Sequence, residues 1–133
     1  MIIKTAPDKE RARSLFNMVK ERETFTYSID IEKFPTIVAE SYYETIKELM
    51  TALSLYDGFK AIGENAHKDL IDYMSNYKEL TQNEIFLIDD LRIRRNKSLY
   101  EGRKIEQSYV SNNKDKLISI INKLKEIIQI RLR

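Results

Sequence analysis

Apolar residues recur at spacings of three and four along most of the chain, and polar breaks between these runs are brief. That period is the signature of amphipathic helices. Asp8 is placed to cap a first helix whose apolar face is Ala12, Leu15, Phe16 and Val19. Residues 24–29 are β-branched and aromatic but short, and they read as a connector. A second helix begins near Pro35, and its stripe of Phe34, Val38, Tyr42, Ile46, Leu49, Leu53 and Tyr56 runs to Asp57 and Gly58. Proline is tolerated in a first turn and glycine is a natural C-terminal stop. A short third helix over residues 66–77 would bury Leu70, Ile71, Met74 and Tyr77.

Thr81, with Glu84 three positions on, has the form of a capping box and opens a fourth helix. Its inner face reads Ile85, Ile88, Leu91, Arg92, Arg95 and Leu99, and Gly102 marks its end. Ser111, Asn112 and Asn113 predict a kink or a late start for the last helix. That helix then carries Leu117, Ile120, Ile121, Leu124, Ile127, Ile128 and Leu132, close to a heptad seam. Ile118 and Ile130 fall off the stripe, so this helix is expected either at the centre of a bundle or at a homodimer seam. With only three Gly and two Pro among its residues, the chain is expected to be all-α. The predicted fold is an antiparallel up-and-down bundle of four long helices plus one short one.

Length and composition narrow the picture without changing it. A chain of 133 residues, 42% of them hydrophobic, suits a single domain spanning 1–133 with one core. The net charge of +2, with 33% of residues charged, does not mark a nucleic-acid protein, so any basic function must come from local clustering. The absence of Cys removes disulfide and thiolate chemistry, and a lone His67 argues against a zinc site. No metal or cofactor is expected. No stretch has the length of a membrane span, and the first residues turn polar too soon for a signal peptide, so a cytoplasmic protein is expected.

The candidate chemistry sits at the end of the fourth helix. Six cations and one acid stand between positions 92 and 104, enough for a local positive field. Arg95 lies about 20° from the direction of Ile88, on the apolar stripe. An inward guanidinium is costly unless an anion receives it. The receiver is either a carboxylate of a neighbouring helix (Glu40, Glu44 or Glu48) or a ligand. Asp89 and Asp90 are adjacent on the helix and cannot face each other as an acid–base couple, so they are expected to hold Arg92, Arg94 or Lys97 in surface pairs. His67 reads either as a structural residue or as a group that reaches Arg95. The tyrosines Tyr42, Tyr43, Tyr56, Tyr73 and Tyr77 fall at core or interface spacing, and Tyr109 stands where it could approach the basic patch.

The sequence Arg95-Asn96, late in a helix and followed by Leu99-Tyr100-Glu101-Gly102, resembles the HEPN (higher eukaryotes and prokaryotes nucleotide-binding) family. Upstream, the long helix containing Tyr43-Glu44-Thr45-Ile46 and the turn Asp57-Gly58-Phe59-Lys60 are similar to that family's layout. The family signature is an Arg, often followed by Asn, then four to six residues and then a His, and here Tyr100 stands at the His position. The resemblance implies a dimeric helical domain that binds RNA or a nucleotide phosphate. It also implies a toxin–antitoxin-type pairing with a nucleotidyltransferase. Family ribonucleases use the His to move a proton, and a tyrosine hydroxyl is a poor general base. Ribonuclease activity is therefore expected to be weak or lost. The resemblance implies a site of Arg95, Asn96 and Tyr100, with Arg92, Arg95, Lys97 and Arg103 as phosphate or RNA contacts. The competing expectation is a non-catalytic protein-interaction module in which Arg95 forms a structural ion pair.

Overall fold

The computed structural model describes residues 1–133. In chain order it contains β1 (Ile2–Lys4), α1 (Lys9–Ser28), α2 (Pro35–Asp57), β2 (Phe59–Ala61), α3 (Ala66–Tyr73), a 3₁₀ turn (Met74–Asn76), α4 (Gln82–Glu101) and α5 (Gln107–Leu132). The fold is an antiparallel bundle of four long helices and one short one, as the hydrophobic period predicts. No helix is long and apolar enough to cross a membrane.

α2 is the hub and packs against α1, α4 and α5. Its central face, Tyr42, Ile46, Leu49 and Leu53, is sealed from solvent together with Ile88 and Leu91 of α4 and Leu117, Ile120, Leu124 and Ile128 of α5. Fully burying one such aliphatic side chain contributes about 1.5–3 kcal/mol. The wide apolar arc of α5 is therefore spent mainly inside the bundle rather than on a homodimer seam. Ile118 is half-buried against the core, and Ile130 stays in solvent.

Local signals hold at most helix ends. Asp8 accepts a bond from the Arg11 amide, and the Thr81–Glu84 capping box is complete. Gly58 closes α2 in the left-handed conformation, φ 78°.

Four expectations are corrected. Residues 24–28 continue α1 rather than forming a connector, because Thr26 is buried and its hydroxyl pairs with Ser41 of α2. The packing against α2 overrides the weak helix propensity of that segment. α5 begins at Gln107 and runs unbroken through Ser111, Asn112 and Asn113, the last of which bonds back to the Tyr109 carbonyl. The third helix gives way at Met74 to a 3₁₀ turn, which leaves Tyr77 outside. Phe34 and Leu99, placed on apolar stripes by their spacing, are exposed at helix ends.

The two short strands were not legible in the sequence. β1 pairs antiparallel with β2, with Ile3 opposite Lys60. This ribbon ties the start of the chain to the α2–α3 connection, and the Met1 ammonium reaches Asp69 and the Ile62 carbonyl.

Candidate functional site

α4 leaves the core at its C-terminal half and turns Arg92, Arg95, Asn96 and Tyr100 toward the loop and first turn of α3. Together with Gly63, Glu64, Asn65, Ala66, His67 and Lys68 they line a cleft of about 320 Å³. The core residues Ile85, Ile88 and Leu91 set the rotation of α4. Arg95, one to two turns further on, then faces α2.

The inward guanidinium meets a carboxylate. Arg95 donates through Nη2 to Glu44 Oε1 at 2.7 Å and through Nη1 to Asn96 Oδ1 at 3.3 Å. Its side chain is 14% exposed, and the guanidinium carbon stands 5.3 Å from the centre of the Tyr43 ring. Of the three glutamates in reach along α2, Glu44 takes Arg95, Glu40 takes the Ser98 hydroxyl and Glu48 takes Arg22. Lys47 holds the other Glu44 oxygen at 2.9 Å. Burial alone would raise the Glu44 carboxyl, but bonds and charge from Lys47 and Arg95 outweigh it and hold the group below its ordinary range.

The remaining cations of the cleft are also tethered. Arg92 donates to Asp89 at 2.8 Å, and Lys68 of α3 reaches Asp72 at 3.0 Å and the same Asp89 at 3.4 Å. Arg94 pairs with Asp90, and its guanidinium lies over the Tyr109 ring at 4.0 Å, so one face of that ring is already covered. The adjacent acids thus hold arginines, as their spacing predicts. Arg92 donates only through Nε and Arg95 only once through each Nη, so guanidinium N–H groups of both cleft-lining residues stay unpaired.

His67 joins this group. It stands in the first turn of α3 and lines the cleft beside Arg92, Arg95, Asn96 and Tyr100. Partial burial, and then the positive charges of Lys47 and Arg95, push its pKa below the ordinary imidazole value. The neutral form of the ring is thereby favoured. The chain's one histidine thus reaches the cleft from α3 rather than from α4.

No family model matches the chain, and comparison with the curated proteins and with the solved structures gives no significant match. The HEPN resemblance therefore rests on the Arg95-Asn96 pair and the helix layout alone. Of the residues it implies, Arg92, Arg95, Asn96 and Tyr100 come together, with Tyr100 79% exposed at the rim. Lys97 and Arg103 do not line the cleft. Both are exposed, and Arg103 lies 3.7 Å from Glu101 beyond the helix end.

Beneath the cleft, the Tyr43 hydroxyl is fully buried and has no hydrogen-bond partner. Burial pushes it up to about 12 in spite of the nearby Arg95 and Arg92. An unpaired buried hydroxyl costs about 1–3 kcal/mol. Tyr43→Phe should therefore raise stability, by about 1 kcal/mol, in a urea melt. A loss of stability would mean that the hydroxyl is bonded in solution.

Proposed function

We propose that the α3–α4 cleft binds a phosphate of RNA or of a nucleotide, and that the chain serves as the helical member of a toxin–antitoxin-type pair with a nucleotidyltransferase. One observation carries this reading: His67 of α3 lines the same cleft as the Arg95-Asn96 pair of α4. Arg92 and Arg95 supply planar donor forks suited to phosphate oxygens, and Asn96 supplies an amide. The first turn of α3 adds backbone amides that its Asn65 cap leaves without a side-chain acceptor. Any ribonuclease activity would draw on His67 to accept the ribose 2′-hydroxyl proton, with Tyr100 positioning the strand at the rim.

The test compares RNA binding by the wild type, Arg92→Ala, Arg95→Ala and His67→Ala at low and moderate salt. Loss of either arginine should weaken binding about tenfold, with a flatter salt dependence, while the fold persists. Any cleavage seen with chelator present should vanish in His67→Ala. Equal binding by all four proteins removes the cleft from the function.

The 2.7 Å Arg95–Glu44 bond favours a second reading, a protein-interaction module in which Arg95 only joins α4 to α2. Under that reading Arg95→Ala loses stability and nothing else, and RNA binding is absent from the wild type.

A further inference from the structure

A second cavity, of about 420 Å³, shares no residue with the α3–α4 cleft. It opens where α1 ends and is walled by the loop between α1 and α2, by α2 and by α5. Ile29 and Ile31 of the loop, Val38 of α2, Ile118 of α5 and the rings of Tyr27 and Tyr42 make most of its lining. That volume and that apolar lining suit a small organic molecule.

Its polar groups are few, and one of them is unmatched. Tyr42 is 1% exposed, and its hydroxyl takes part in no hydrogen bond of the fold. That hydroxyl is not sealed in the way the Tyr43 hydroxyl is, so the tip of the ring ends at the cavity. A hydroxyl so enclosed costs stability unless a polar group meets it. The ring itself is fixed in the core, 6.2 Å from that of Tyr27 and tilted by 51°, which gives the cavity an aromatic corner.

Charge at the mouth says what meets the hydroxyl. Asp30 and Glu32 line the cavity, against Lys114 as its one cation. None of these three takes part in an ion pair of the fold. Asp30 Oδ1 accepts the Glu32 and Lys33 amides at 2.9 and 3.3 Å, which holds the carboxylate in place and leaves Oδ2 without a partner. Burial first, and then the negative charge of Asp115 on α5, push the Tyr42 hydroxyl above the ordinary tyrosine value. The field at the hydroxyl therefore favours a cation.

We propose that this cavity binds a small protonated amine with an apolar or aromatic body, its ammonium held by the Tyr42 hydroxyl oxygen and the Asp30 and Glu32 carboxylates, its body against Ile29, Ile31, Val38 and Ile118. An ammonium carries three N–H donors and no acceptor, which matches one free hydroxyl oxygen and two carboxylates. The negative faces of the tyrosine rings act in the same sense. This site stands apart from the phosphate reading, which concerns an anion between α3 and α4.

Titration with phenethylamine, followed through amide chemical shifts, tests this. The shifts should saturate at millimolar amine or below and fall on residues 26–32, 38–42 and 114–118. Phenylalanine, which adds a carboxylate, should bind about fivefold more weakly, and 3-phenylpropionate, which replaces the ammonium, about tenfold or more. Tyr42→Phe removes only the hydroxyl, and Asp30→Asn keeps an oxygen for the two amides while removing the charge. Each should weaken the amine about five- to tenfold, with the spectrum of the free protein showing an intact fold. Lys114→Gln should tighten it, because an opposing charge is gone. The absence of saturable shifts with phenethylamine overturns the proposal. So does an acid that binds as tightly as the amine, an affinity that Tyr42→Phe and Asp30→Asn both leave unchanged, or a Lys114→Gln variant that binds the amine more weakly.

Discussion

Replacing Arg95 by alanine should cost about 2–3 kcal/mol and lower the melting temperature by about 6–12 °C. The guanidinium is largely enclosed and holds Glu44 at 2.7 Å, so its removal deprives a half-buried carboxylate of one of two cationic partners. Loss of one partner from a fully buried pair costs about 3–5 kcal/mol. The expected figure is lower because Lys47 still reaches the other oxygen and Glu44 keeps some access to water. A second substitution separates pairing from packing. In Glu44→Gln/Arg95→Ala the orphaned charge is gone, and part of the loss should return. Should the double variant be as unstable as the sum of the singles, the two groups are not coupled and the ion pair has no structural role.

The pH dependence has a definite sign. The Glu44 carboxyl is held below its unfolded value, so the unfolded chain binds the extra proton first as pH falls. Its contribution is complete above the ordinary carboxylate range and disappears as pH drops through the folded value. The gap in melting temperature between the wild type and Arg95→Ala should therefore be widest near neutrality and narrow toward acid. A gap that does not change with pH would place the effect in lost packing around the Arg95 stem.

Gly58→Ala should cost about 2–3 kcal/mol, far more than Gly63→Ala. Both glycines have positive φ, 78° and 96°, so alanine is strained at either position by about 1 kcal/mol. They differ in what a Cβ would meet. At Gly58 it would stand 2.9 Å from the Thr5 carbonyl oxygen and 3.2 Å from Pro7, whereas at Gly63 nothing lies within 4 Å. The Thr5 amide also donates to the Gly58 carbonyl at 2.9 Å, so the clash pushes apart a contact the backbone uses. Amide exchange should show the loss concentrated in β1 and β2 for Gly58→Ala and spread no further for Gly63→Ala. Equal costs at the two sites would mean that the chain start moves aside freely. Because this ribbon adjoins α3, the proposed function adds a second readout: phosphate binding by the cleft should weaken in Gly58→Ala as His67 and Lys68 lose their support.

Much of this protein is written locally in its residues. The bonds of a helix lie within the segment, and its buried face recurs with a fixed period, so Ile85, Ile88 and Leu91 or Leu117 through Ile128 declare their role without reference to the rest of the chain. Caps are equally local, as the Thr81–Glu84 box and Gly58 show. The inward turn of Arg95 follows from the same period. Other features depend on what distant segments bring. Ile2 finds Ala61 only once α1 and α2 have run out and back to bring the two strands together. Residues 24–28 are helical because Thr26 meets Ser41. Among Glu40, Glu44 and Glu48, all on one face of α2, only the crossing of α4 selected Glu44 for Arg95. The same crossing put His67 beside the arginines and left Phe86, Ile93 and Tyr100 facing out. Periodicity specifies which face of a helix is apolar, because that is set by bonds a few residues apart. Which charged partner or open surface that helix meets is set by the packing angle between whole helices, which no local stretch encodes.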